Sequence, residues 1–415
     1  MVSIKYLFNV SSIFGITGIL FSHYFPKKQN KIRILALAAA SMLLFAGCER
    51  HRLFDNARND ASSFVNVGTA PPAFTYYLVV LGGNTGRTSI YDPETNTFSA
   101  GPILTGNVET GGHSFPVTSG PNTGKRIVVH GRVTGNTSLY DPSTQTFSAG
   151  PVLVGTVNWG GNSFEVTSGA YIGQQIVVLG SSTSSTNLYD PLMNSFSLGP
   201  PLSLGGGAYD GSLNFPISGD RTLVVHGRNS QETSIFDPTI PGFILGPTVP
   251  TAAVSGGSQV FPITGGTEVG KIMLMNGNGV WRYTIVDIVP QPPTFVPGLL
   301  GFAPPGPGTG SNNFRIPSGA NAGDQVIIIG NGTATTAIFD QATNGFSLWA
   351  PLPGPAFQGS TSFYIADGLE AGKVLLIHGG DSNQTSIYDP AADTFSPGPP
   401  LSNNAGWGAH AFLLQ

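Results

Sequence analysis

Tyr140-Asp141-Pro142, with Phe147 five residues beyond the proline, is one of seven copies of a single signature. The others are Tyr91-Asp92-Pro93 with Phe98, Tyr189-Asp190-Pro191 with Phe196, Phe236-Asp237-Pro238 with Phe243, Phe339-Asp340 with Phe346, and Tyr388-Asp389-Pro390 with Phe395. Asp287 with Phe295 is a degraded copy. The aspartates lie 49, 49, 47, 50, 53 and 49 residues apart. A period near ~50 residues marks an array of supersecondary units, none of which buries its apolar faces alone.

Residues 112–153 show what one unit contains. Gly112 to Val117 reads as a first strand and Ser119 to Gly124 as a turn cluster. Ile127-Val128-Val129-His130-Gly131 is a continuous apolar run, suited to a strand covered on both faces. Thr137 to Tyr140 is a third strand. Asp141-Pro142-Ser143-Thr144 turns it, because Asp favours the first turn position and Pro presets φ at the second. Phe147 marks a short fourth strand ending at Gly150-Pro151. Four strands per repeat make a propeller blade, so the expected fold is all-β with seven four-stranded blades over residues 62–415. Tyr77 to Leu81 reads as a second strand with no first strand before it, and Gly408 to Leu414 as a first strand with nothing after it. The C-terminal strand should therefore complete the first blade and close the ring. Prolines 116, 216 and 262 follow the Phe of the first strand. Proline is tolerated on an edge, so the first strand should be the innermost one.

The pattern resembles the Kelch repeat, which has glycines ending the second strand and a Tyr in the third; a galactose-oxidase-like propeller is equally compatible. The glycines stand as Gly82-Gly83 and Gly379-Gly380, and singly as Gly131, Gly180 and Gly227. The Trp that Kelch repeats carry in the fourth strand is Phe throughout. Copper chemistry of the galactose-oxidase kind would need a Tyr–Cys crosslink, and the propeller region has no Cys. No Ser-x-Asp-x-Gly-x-Thr-Trp box of sialidase type occurs, nor any Gly-x-Ser-x-Gly or His-Glu-x-x-His motif.

Only 10% of residues are charged, against 57 Gly and 33 Pro, which suits short strands and frequent turns and excludes a solvated helical array. Lys5, Lys27, Lys28, Lys31 and Arg33 precede Cys48 and no acid does. The remainder holds 13 basic residues against 22 acidic ones, a formal charge of −9. Nucleic acid is thereby excluded as an expected partner, since phosphate binding needs clustered cations. Lys125, Lys271 and Lys373, the only lysines beyond Cys48, share one repeat position and read as solvated strand entries.

Residues 1–47 read as a signal or membrane segment, with a second apolar stretch, Ile4 to Phe25, that a start assigned too far upstream would explain. Leu44-Phe45-Ala46-Gly47-Cys48 resembles the lipobox of bacterial lipoproteins, which implies a lipidated Cys48, a polar tether over 48–61 and attachment to a bacterial cell envelope. Glu49 after the Cys leans toward the outer membrane by the same resemblance. Cys48 is the only cysteine, so no intramolecular disulfide forms.

Two residues before the first-strand Phe lies a position occupied by His113, Asn162, Leu213, Gln259, Asn312, Thr361 and His410. Its polar members are candidates for a ligand floor in the channel. His113 and His410, on neighbouring inner strands, are expected to approach each other, but two His without a third ligand predict no metal. His130, His226 and His378 end second strands in blades two, four and seven and read as structural. Loops carry function on rigid scaffolds. The fourth-to-first strand loops hold Trp159, Tyr209, Phe302, Phe357 and Trp407, and the second-to-third strand loops on the same face hold Arg87, Arg132, Arg228, Asn229, Trp281, Asp381 and Asn383. Aromatics beside Arg and Asn suit stacking on sugars or gripping a protein loop, and Pro297 to Gly310 suits a flap. The expectation is a monomeric, non-catalytic binding protein without cofactor. The alternative is a sugar-processing enzyme like the sialic-acid mutarotases, with Glu165 and Arg315 of the inner strands at the channel mouth.

Overall fold

The computed structural model describes residues 75–203, 207–227, 230–250, 254–298 and 305–414. Residues 1–47, Cys48, the tether, Arg228, Asn229 and residues 299–304 of the expected flap lie outside them. The described chain forms seven antiparallel sheets of four strands each. Blade 2 is typical: His113–Pro116 is innermost, followed outward by Arg126–Val129, Thr137–Asp141 and Thr146–Ala149. Inner strands of successive blades touch one another from blade 2 round to blade 1. Among the described residues a single short 3₁₀ turn, Gly169–Tyr171, interrupts the strands.

The ring closes as the sequence predicts. His410–Leu413 pairs with Tyr77–Val80, register Val80 opposite His410 and Tyr77 opposite Leu413, and becomes the inner strand of blade 1. This gives blade 1 the same four-stranded order as the other six.

The signature residues hold the blades to each other. Within a blade Tyr140 lies opposite Phe147 across the hairpin, with ring centroids 5.0 Å apart. The same Tyr faces the preceding blade, where Phe412 meets it at 5.8 Å. Phe115 with Tyr189, Phe164 with Phe236, Phe261 with Phe339, Phe314 with Tyr388, and Phe363 with Tyr91 repeat this contact at 5.3–5.8 Å. In the degraded fifth copy Val286 stands at the position of the ring. Second strands are apolar at consecutive residues because each is sandwiched: Ile127 and Val129 face blade 3, and Val128 faces blade 1.

The Asp of each signature is a turn residue, as its sequence context predicts. In all seven copies its Oδ1 accepts the N–H two residues on, at 2.8–3.1 Å. Ser143 and Lys125 pull the Asp141 carboxyl down to about 2. Lys125 and Lys373 are not simply solvated. Each pairs with a signature Asp, Lys125 with Asp141 at 3.0 Å and Lys373 with Asp389 at 2.9 Å, and Lys271 pairs with Glu268 at 2.7 Å.

Candidate functional site

The face bearing the second-to-third and fourth-to-first strand loops is built on a seven-fold turn. Gly111, Gly160, Gly211, Gly257, Gly310, Gly359 and Gly408 each lie two residues before the polar inner-strand position, at φ of +77° to +83°. A β-carbon on Gly111 would overlap the carbonyl of Asn158 in the next blade, and the same holds at every member, round to Gly408 against the carbonyl of Glu109. The blades thus interlock backbone against backbone, where only glycine fits.

The residue before each of these glycines is carried to the centre of the loop face: Thr110, Trp159, Asp210, Gly256, Thr309, Gln358 and Trp407. Its carbonyl accepts an N–H from the second-to-third loop of its own blade, as in Ser181 to Trp159 and Gly83 to Trp407, both at 2.9 Å. The mouth is therefore presented by a fixed framework. Trp159 of blade 3 and Trp407 of blade 1 meet edge to face across blade 2, with centroids 4.6 Å apart and planes at 77°. Both are partly exposed. The sequence places these two indoles on one face; the ring brings them into contact.

Tyr209, next to Asp210, is anchored through its N–H to the His226 carbonyl at 2.8 Å. Arg132, exposed, is paired with Glu109 at 2.7 Å. Arg228 lies outside the described residues. Trp281 does not reach the surface. It is buried against Phe346 at 4.9 Å in the interface of blades 5 and 6.

At the polar inner-strand position Asn162, Gln259 and Asn312 bond the next blade. Asn162 Nδ2 donates to Ser212 Oγ at 3.0 Å, and its Oδ1 accepts from Asn214 Nδ2 at 2.9 Å. Asn312 Nδ2 donates to Ser360 Oγ at 3.2 Å and its Oδ1 accepts from Ser362 Oγ at 3.0 Å. Gln259 meets Ser311 with its amide oxygen accepting from the Ser311 hydroxyl. The two asparagines each use the residues just before and just after their own repeat position in the neighbouring blade. Asn162→Ala is expected to lower stability by about 1–2 kcal/mol, because Ser212 and Asn214 lose partners. Urea unfolding checks this, and an unchanged midpoint would show that these bonds add nothing.

His113 and His410 take another arrangement. Each Nδ1 bonds a carbonyl two residues back, Gly111 and Gly408, at 2.9 Å. Each Nε2 is buried without a partner. Burial holds both rings down at about 4, and their mutual repulsion adds to the shift at His410. They are thus near enough to feel each other, as their neighbouring strands predict. His130, His226 and His378 instead bond Ser138, Ser234 and Ser386 through Nε2 at 2.7–2.8 Å inside the blades.

Glu165 and Arg315 are exposed at the far ends of their inner strands, in blades 3 and 6, away from the glycine turns. Glu165 accepts from Thr118 Oγ1 at 3.3 Å, and Arg315 Nε donates to the Gly323 carbonyl at 3.2 Å. The structure does not bring them together with the tryptophans. A copper centre does not fit the donors present: among the described residues no three His, Cys, Asp or Glu cluster, and the chain's one Cys precedes the propeller.

No family model matches the chain, and no curated protein matches it. Among solved structures it is similar to a fungal alcohol oxidase of the AA5 family in complex with copper. The identity is 16%, the TM-score 0.55, and the likeness covers 76% of this chain and 73% of that one. At that identity the likeness is one of fold, and the chain is a seven-bladed β-propeller.

Proposed function

We propose that this chain is a non-catalytic binding protein of the Kelch-like kind, held at a bacterial cell envelope through lipidated Cys48, whose loop face holds a glycan. The observation that carries the reading is the Trp159–Trp407 pair, partly exposed at the centre of that face on a backbone framework that cannot shift easily. Core aromatics in this fold pack between blades; these two do not, and exposed indoles on a rigid mount suit stacking on sugar rings. A protein loop is the other occupant such a face accepts.

The test is a glycan-array screen of the full-length chain in detergent. Specific binding is expected, weakened at least tenfold by Trp159→Ala or Trp407→Ala, which corresponds to roughly 1.4 kcal/mol. A blank array, with crosslinking on intact cells capturing a partner at these residues, would replace the glycan by a protein. Turnover of a bound sugar that Glu165→Gln abolishes would overturn the non-catalytic reading. Mass spectrometry of the N-terminal peptide tests the lipid on Cys48.

A further inference from the structure

We infer that the signature-turn face of blades 3–5 rests on the lipid bilayer, an inference that takes the acyl group on Cys48 from the reading above. Each signature turn carries two tip residues at one repeat position. They are Glu94-Thr95 in blade 1, Ser143-Thr144 in blade 2 and Ala391-Ala392 in blade 7, small or polar as an exposed turn requires. Blade 3 has Leu192 and Met193 there, 69% and 73% exposed, blade 4 has Ile240 at 55%, and blade 5 has Val289 at 75%. Ile172, in the first-to-second strand turn of blade 3, adds another aliphatic at 64%. Large apolar side chains at these tips do nothing for the turns, and a group of them marks a contact surface.

The tips are linked blade to blade and held in place. Gly120 of blade 2 packs on the Pro191 carbonyl beside Leu192. Gly169, three residues before Ile172, packs on the Pro238 carbonyl, two residues before Ile240. Ser218 of blade 4 donates its N–H to the Ile288 carbonyl at 3.4 Å and its hydroxyl to the Val289 carbonyl at 3.5 Å. The first-to-second strand turns of blades 2–4 thus lean on the signature turns of blades 3–5.

The occupant follows from where the chain joins the propeller. The Thr75 N–H donates to the Asp367 carboxylate at 2.9 Å. Asp367 belongs to the first-to-second strand turn of blade 7, on this same face, with Leu369 two residues on and 71% exposed. The chain therefore enters from the signature side. Cys48 lies 27 residues before Thr75, and a flexible chain of that length spans about 30 Å on average. An acyl group in the bilayer keeps this face within that reach, where a weak apolar contact is favoured by high local concentration. Aliphatic tips of this kind bury at the boundary of headgroups and acyl chains. Trp159 and Trp407, at the other end of the blades, are then turned away from the membrane.

Every turn of the signature face lies within the described residues, so its charge can be counted. Blades 3–5 hold Glu165, Asp190, Asp220, Asp237, Glu268 and Asp287 there, against Arg221 and Lys271, an excess of four acids. The contact is therefore apolar, and anionic lipid opposes it.

The test uses the full chain, purified with its anchor and reconstituted into phosphatidylcholine vesicles brominated along the acyl chains. With Cys48 acylated, an introduced cysteine is the only free thiol. A bimane on Met193→Cys should be quenched about threefold or more relative to one on Thr144→Cys, the matching tip of blade 2. The same excess is expected over Ile103→Cys, a 74% exposed aliphatic at the loop-face end of blade 1. Adding phosphatidylglycerol should weaken quenching at 193, and salt should restore it. Leu192→Ser with Ile240→Ser should bring it to the Thr144→Cys level and leave the thermal midpoint unchanged. Equal or stronger quenching at Thr144→Cys or Ile103→Cys, in a chain retained by the vesicles, would overturn the face contact and leave the anchor standing. A second bimane per chain, on an unacylated Cys48, with no retention by vesicles, would overturn both.

Discussion

Gly111→Ala is expected to destabilise the propeller by about 4 kcal/mol or more, the size of effect reserved for steric failure at a special backbone position. The added β-carbon would enter the carbonyl of Asn158, whose own N–H is bonded to the Leu179 carbonyl. Relief requires one blade to move away from the next, and blades in a closed ring cannot separate singly. Gly124→Ala is the matched control. Its φ is +84°, similar to the +77° at Gly111, but a β-carbon there meets nothing within 4 Å. It should cost only the left-handed backbone penalty of about 1–2 kcal/mol. Urea unfolding of the two variants separates conformational strain from steric interlock. Equal losses would mean that the interlock contributes nothing.

Acidification from pH 7 to pH 4 is expected to remove stability on the order of 5–10 kcal/mol. Burial lowers the pKa of His130, His113 and His410 to about 4. It also lowers those of His226 and His378, although Glu232 and the Pro355 carbonyl respectively oppose it. A histidine depressed in the folded state is protonated first in the unfolded chain. Its stability contribution is therefore complete above the unfolded value near 6.5 and drains away as pH falls toward the folded value. The figure discounts His113 and His410, which are only partly buried beside the channel.

Asp210 and Asp324 have raised values from burial and so favour the folded state slightly as they take up protons. Asp141, held near 2, gives way only below the histidine window. Thermal unfolding midpoints from pH 8 to pH 4 should fall steeply below about 6.5. His113→Asn with His410→Asn should flatten the fall, since Asn already fills this position at 162 and 312. A midpoint that stays level to pH 4.5 would show that the buried histidines do not govern acid stability.

Much of the architecture is legible in the sequence because the features that define a blade repeat in one dimension. The hairpin register that sets Tyr140 opposite Phe147 fixes their spacing in the chain, and the Asp-Pro turn between them has its own chemistry. The inner-strand position is bonded to the neighbouring blade for a reason the sequence itself contains. His113 and Phe115 are two apart in a strand and so share a side. Phe115 packs toward blade 3, and the residue two before it points the same way. The glycine interlock is hidden among 57 glycines, since nothing local separates a glycine needed for neighbouring backbone from one needed for a turn. Trp281 looks like its loop neighbours, but the ring beneath it has a gap that Phe346 and the indole fill together. The meeting of Trp159 with Trp407 depends on a ring diameter that no spacing encodes.

The pairing of Val80 with His410 has a consequence for how the molecule is made. During synthesis the Tyr77–Val80 strand leaves the ribosome some 330 residues ahead of the segment that will cover it. At ordinary elongation rates that interval is on the order of tens of seconds. Throughout it, blade 1 offers a bare apolar strand edge to any chain that passes. The closing strand of one nascent copy fits the open edge of another as well as its own. The final stitch is thus also the step most exposed to error, and crowded synthesis should favour strand-exchanged pairs over finished rings.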